Sequence, residues 1–213
     1  HFGDSGGEPR QLLDIGLQLD DWAAAITYAR GRPELNGERV VLWGTSFGGG
    51  HVIVTAARDH RVAAAIAQCP FTDGPVSAFA TRSARTPAIV CLALKDLIAA
   101  RRGKPPVMIP IVGASGTTAL MATPDAEPGY LALAPEGVDI RNEVAARLGL
   151  AITRHRPGRQ AAEVRCPILF CVCEHDSVAP APRTLQHAQR APRGETITYP
   201  IGHFDIYVGE PFE

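Results

Sequence analysis

A serine, a histidine and an aspartate in this chain have the side-chain chemistry for nucleophilic substitution at an acyl carbon, if folding brings them together. Ser46 lies in Gly44-Thr45-Ser46-Phe47-Gly48, a G-x-S-x-G pattern directly after the apolar run Val40–Trp43 and before a helix-compatible segment. A serine hydroxyl at neutral pH is a poor nucleophile, so a base must take its proton and an acid must orient that base. His203, in Gly202-His203-Phe204, follows the strand-like stretch Thr196–Tyr199. Asp176, in Glu174-His175-Asp176-Ser177-Val178-Ala179-Pro180, follows Pro167–Cys173. Rivals exist for both roles. Asp73 follows an earlier strand, Glu174 reads as a surface acid at a strand end, and Asp205 reads as a cap of the following turn. His51, five residues past Ser46 on one helix, points away from the hydroxyl and reads as a packing residue. His60, between Asp59 and Arg61, reads as part of a solvated turn.

The elements that must position these groups alternate. Leu12, Ile15, Leu19, Trp22, Ile26 and Ala29 recur at spacings of three and four, which predicts a helix over 11–30 that ends at Gly31, Pro33 and Gly37. Val40–Trp43 reads as a buried parallel strand, Phe47–Arg58 as a helix and Val62–Cys69 as the next strand. Pro167–Cys173 and Thr196–Tyr199 are two further strands, with a helix near Pro182–Arg190 between them. Such alternation predicts an α/β fold with a mostly parallel sheet covered on both faces. The serine then sits on a sharp strand-to-helix turn, where side chains at Gly44 or Gly48 are expected to collide with the neighbouring strand or helix.

Between Gly74 and Glu163 the rhythm breaks for about ninety residues, too long for a loop in a compact domain. Helix-like pieces (Ala88–Arg101, Asp139–Leu148) flank a Pro/Gly-punctuated apolar section, Pro105–Pro124. The division expected is 1–73 for the first part of the core with the elbow, 74–163 for an inserted, mainly helical cap, and 164–213 for the acid and base loops. Arg82, Arg85, Arg101 and Arg102 in that insertion suit a solvated face, or an acidic substrate.

The bulk numbers narrow the partners. A net charge of −1 excludes a strongly basic nucleic-acid surface, and no apolar run reaches membrane-spanning length. No signal peptide is visible, and the chain begins at His1 rather than Met. Cys69, Cys91, Cys166, Cys171 and Cys173 lack zinc-type spacing and read as buried free thiols, which places the protein in the cytoplasm. No metal, cofactor, nucleic-acid or membrane partner is expected; the partner is a small acyl substrate, with a homodimer as one possible assembly.

A second G-x-S-x-G, Gly3-Asp4-Ser5-Gly6-Gly7, shows that the pattern alone decides nothing. GDSGG also surrounds the nucleophile of trypsin-like proteases, but there the serine comes last in the triad's order, and Ser5 lies near the start of a segment followed by helix. The GTSFGG elbow, the EHDSVAP loop and the GHF loop together resemble the α/β-hydrolase superfamily, in which the order is Ser, then Asp or Glu, then His. The opening HFGDSGGEPRQ resembles a loop in the branch of dienelactone-hydrolase-like, acetyl-esterase-like and Xaa-Pro-peptidase-like enzymes. The resemblance covers nearly the whole chain outside 74–163, and implies that the chain begins inside the fold, without its first three strands. It implies Ser46 as nucleophile, His203 as general base and Asp176 as its orienting acid. It also implies the Phe47 amide as one oxyanion donor, with no visible counterpart for the second. The activity implied is serine hydrolysis of a carboxylic ester or related acyl substrate. Xaa-Pro-type peptidase, carbon–carbon hydrolase and silent binding module are the alternatives.

Overall fold

The computed structural model describes residues 1–135, 137, 138 and 140–209. Asp14 opens helix α1 (Ile15–Arg30) by accepting from the Leu17 amide, and the helix turns Ile26 into the core. Strand β1 (Val41–Thr45), helix α2 (Ser46–Arg58) and strand β2 (Ala64–Gln68) follow. Next come helices α3 (Gly74–Ala80) and α4 (Thr86–Arg101), strand β3 (Met108–Ile109), helix α5 (Ala126–Leu131), strand β4 (Val144–Ala145) and helix α6 (Leu148–Ile152). A 3-10 helix (Pro157–Glu163), strand β5 (Ile168–Cys173), helix α7 (Ala181–Ala188), strand β6 (Gly194–Tyr199) and a 3-10 turn (Asp205–Tyr207) complete the order.

Strands β1, β2, β5 and β6 lie side by side in that order, all parallel. Leu42 pairs with Ala65, Ala67 with Phe170 and Cys173 with Tyr199, so the carboxyl ends of the strands share one edge of the sheet. Leu42, Ala65, Ala67, Ile168, Phe170 and Val172 form one core with Val52, Ile53 and Ala56 of α2. Alanines on β2 leave room for α2 to approach closely, and α2 is buried from Gly49 to Ala57. Each large aliphatic or aromatic side chain buried in this layer contributes about 1.5–3 kcal/mol.

The opposite face departs from expectation. Val41 is 55% exposed, Trp43 57% and Ile197 46%, so the run over Val40–Trp43 is buried on alternate residues only. Those three side chains stand partly open to solvent; towards the strand ends the same face closes around Cys69, Cys171, Cys173 and Ile206. Cys91 also departs, lying exposed on α4 while the other four free thiols are buried.

Residues 74–163 form a second apolar cluster around Ile109, Val144, Ala146 and Leu148, which Phe2 and Leu13 of the opening segment join. The helix expected over Asp139–Leu148 does not form. Residue 139 lies outside the described residues, Val144–Ala145 pairs antiparallel with Met108–Ile109, and α6 starts only at Leu148. Gln11 holds this region from outside: its side chain donates to the Arg141 and Glu143 carbonyls, and its carbonyl accepts from the Ala145 amide. Among the described residues no helix is long and apolar enough to cross a membrane.

Candidate active site

Ser46 is the first residue of α2, and its φ of 50° lies in the left-handed region. That conformation costs a non-glycine residue about 1–2 kcal/mol. The surrounding packing enforces it. A Cβ on Gly44 would sit 2.6 Å from the Gly48 carbonyl oxygen and 2.7 Å from a Val52 methyl. The Ser46 carbonyl accepts from the Phe71 amide at 2.8 Å, tying the turn to the loop after β2. Gly48 is different from the expectation, because nothing lies within 4 Å of a Cβ built there. The crowded positions are Gly49, 2.9 Å from Pro70, and Gly50, 2.5 Å from the Phe71 carbonyl oxygen. Gly50→Ala is therefore expected to lower stability by about 1–3 kcal/mol, whereas Gly48→Ala is neutral or raises it by about 0.5–1 kcal/mol. Urea unfolding of the two variants measures the contrast.

Thr45 occupies the N-cap position of α2 without capping it. Its hydroxyl donates instead to the Tyr207 hydroxyl at 2.7 Å and lies 3.4 Å from the Cys69 sulfur. The first-turn amides of α2, Phe47's included, are thus left without a side-chain acceptor, at the end of a helix that favours negative charge. The Phe47 ring packs edge-on against His51 and tilts against Phe71.

Three loops at the carboxyl ends of β1, β5 and β6 converge. His203 Nε2 lies 3.0 Å from Ser46 Oγ, and His203 Nδ1 lies 2.7 Å from Asp176 Oδ2. Asp176 Oδ1 is occupied by the Val178 and Ala179 amides, at 2.8 and 2.6 Å. The Asp176 carboxylate therefore accepts the Nδ1 proton, which leaves Nε2 as the acceptor facing the Ser46 hydroxyl. Both side chains are almost fully buried. Burial pushes the His203 pKa down, but the hydrogen bond and charge of Asp176, with smaller help from Cys69 and Asp125, outweigh it and hold the value above 6.5.

The other candidates lie elsewhere. Asp73 accepts from the Val76 amide at the start of α3 and pairs with Arg183 at 2.9 Å. Asp205 accepts from the Gly202 amide, so it closes the turn that holds His203 rather than capping the next one. His51 bonds Gln18 at 2.9 Å and faces His155, and burial lowers its pKa to about 4. Glu174 and His60 are exposed. Ser5 is exposed in a turn whose carbonyls receive Arg10. Tyr207 and Cys69, which back the elbow, carry no sequence signal, because they meet Thr45 from 162 and 24 residues away.

The family model described as the prolyl oligopeptidase family (Peptidase_S9) matches residues 16–83, which include the elbow but neither Asp176 nor His203. Thiohydrolase aneE of Aspergillus aculeatus is 24% identical over 233 aligned residues, covering all of this chain and 70% of that protein. The crystal structure of the α/β hydrolase GrgF from Penicillium sp. sh18 matches at a TM-score of 0.76 and 26% identity, over 98% of this chain and 71% of that one. The quorum-quenching protein AidA of Acinetobacter baumannii is 56% identical over 213 residues, all of this chain and 70% of that protein. The chain belongs to the α/β-hydrolase superfamily. This α/β-hydrolase is thereby an enzyme, with its parallel sheet flanked by helices and its polar residues gathered at the carboxyl ends of the strands.

Proposed function

We propose that this hydrolase cleaves a carboxylic ester or a related acyl substrate through an acyl-enzyme on Ser46. What carries the reading is the hydrogen-bonded line from Ser46 Oγ through His203 to Asp176. In this scheme Ser46 Oγ attacks the acyl carbon while Nε2 of His203 takes its proton. Asp176 holds the imidazole tautomer and stabilises the imidazolium. The Phe47 amide donates to the oxyanion, a contribution that can reach about 3–4 kcal/mol for one such donor. His203 then protonates the leaving group, and water repeats the sequence on the acyl-enzyme to release the acid and free Ser46. An oxygen or a sulfur leaving group suits the same displacement, which accords with the thiohydrolase among the relatives. The segment 74–163 serves as the cap that selects the acyl group.

The test is covalent labelling of the full chain with a fluorophosphonate. Labelling is expected to vanish in Ser46→Ala and to persist in Ser5→Ala. Undiminished labelling of the Ser46→Ala chain would overturn the assignment. The match to the prolyl oligopeptidase model favours one second reading, a peptidase acting after proline with the same three residues. Turnover of 4-nitrophenyl esters against proline 4-nitroanilides separates the two.

A further inference from the structure

A second polar chain reaches this site from the inserted segment. Thr123 Oγ1 and Ser177 Oγ are 3.1 Å apart, and Ser177 Oγ lies 2.8 Å from each oxygen of Asp125. The carboxylate can only accept, so Ser177 donates to Asp125, and Thr123 donates to Ser177. Ser177 directly follows Asp176, so this bond fixes the backbone on which the acid stands. The same segment also grips the histidine's loop. Gly129, on α5, lies so close to Phe204 that a Cβ there would be 2.5 Å from the ring. Phe204 in turn packs edge-on against the His203 ring, with centroids 5.0 Å apart. Ala126, Val178 and Phe204 share one buried cluster, which joins three stretches of chain beside His203. Among the described residues no cation comes within ion-pairing distance of Asp125.

Building on the Ser46–His203–Asp176 reading, we propose that Asp125 is a positioning residue of this hydrolase. It anchors the Asp176 loop through Ser177, and its unneutralised charge favours the imidazolium that His203 becomes when Ser46 attacks. His203 meets Asp176 after β5, Ser46 at the start of α2, and Phe204 and Tyr207 from its own loop. Cys69 after β2 and Asp125 before α5 act on it through charge, and Asp205 closes its turn through the Gly202 amide. Asp125 is only half-buried and borders an open groove of about 710 Å³, so solvent weakens its field at the imidazole. A modest effect on the histidine follows, set against a firm mechanical one on the loop.

The experiment follows kcat and KM against pH for 4-nitrophenyl butyrate in the full chain, for the unsubstituted protein, Asp125→Asn, Asp125→Glu and Ser177→Ala. Asp125→Asn removes the charge and keeps an acceptor. It is expected to move the acid limb of kcat/KM down by about 0.5 pH unit and to lower kcat about 3–10-fold at nearly unchanged KM. Asp125→Glu keeps the charge and returns the limb towards its original position. Ser177→Ala breaks the link and keeps the charge, so kcat falls; this variant decides the case if Asp125→Asn does not fold. Superimposable limbs for the unsubstituted and Asp125→Asn proteins, a Glu variant shifted as far as the Asn variant, or an unaltered kcat in Ser177→Ala would each overturn the proposal. Ser46→Ala keeps the two levels distinct. If it retains full turnover, the underlying reading fails; if it is inactive while the Asp125→Asn limb has not moved, this proposal alone fails.

Discussion

Substituting His203 with glutamine is expected to lower kcat about ten-thousand-fold, because Ser46 then has no base and the amide cannot carry a proton to the leaving group. Ester hydrolysis by the purified variant, read beside its thermal midpoint, tests this; activity within threefold of the unsubstituted chain would sink the role given to His203. The pH dependence follows from the same environment. Burial works against the imidazolium, but Asp176 more than compensates, so the His203 pKa lies above 6.5. A general base must be neutral, so with His203 in that role kcat/KM is expected to rise with pH through that raised value. Stability runs the other way. A raised pKa contributes stability that is fully present below the unfolded value of 6.5 and is lost as pH climbs through the folded value. The glutamine variant loses both dependences together.

The largest expected effect on folding comes from a residue far from the chemistry. Asp96, on α4, is completely buried and accepts from the Val107 amide and from the amide, Nε and Nη2 of Arg147, at 2.7–3.0 Å. These bonds tie α4 to the segment before β3 and to the one before α6. Removing the carboxylate strands a guanidinium that is only 21% exposed and orphans two amides. Asp96→Ala is therefore expected to destabilise the chain by about 3–5 kcal/mol, by urea unfolding near neutral pH. Burial raises this carboxyl's pKa, yet the Arg147 and backbone hydrogen bonds outweigh it and the net value falls below the usual 3.8. The contribution is thus present above the unfolded pKa and lost as pH falls through the folded one. The alanine variant should lose less stability than the unsubstituted chain on acidification from neutral to about pH 4 and below. An unchanged denaturation midpoint at neutral pH would show that the pair adds nothing.

How much of this was legible in the sequence depended on the range of the interaction. The four parallel strands each announce themselves as short apolar runs, and Ser46, Asp176 and His203 each follow one of them within a few residues. Chain order sets Ser5 aside, and helix geometry sets His51 aside, but Asp73 also lies between Ser46 and His203, so order alone does not separate it from Asp176. Local pattern could not say that β3 and β4 pair, because two-residue strands about 35 positions apart have no periodicity to detect. The same holds for Asp96 with Arg147 and for Ser177 with Asp125, each joined across about 50 residues. The glycines show a subtler failure. Gly48 completes the motif and has open space, while Gly50, outside the motif, meets the Phe71 backbone. Steric need is a property of neighbours, and those come from distant sequence.

The hydrogen bond between Ser46 and His203 closes a span of 157 residues. The elbow that holds Ser46 rests on Pro70 and Phe71 after β2, contacts whose much shorter span costs less entropy to close. Under the proposed function, an elbow built first stays chemically mute until β6 has docked and delivered the imidazole of His203. On that reading, reactivity at Ser46 is a signature of completed folding: a nascent or partly unfolded chain holds a serine still without its base.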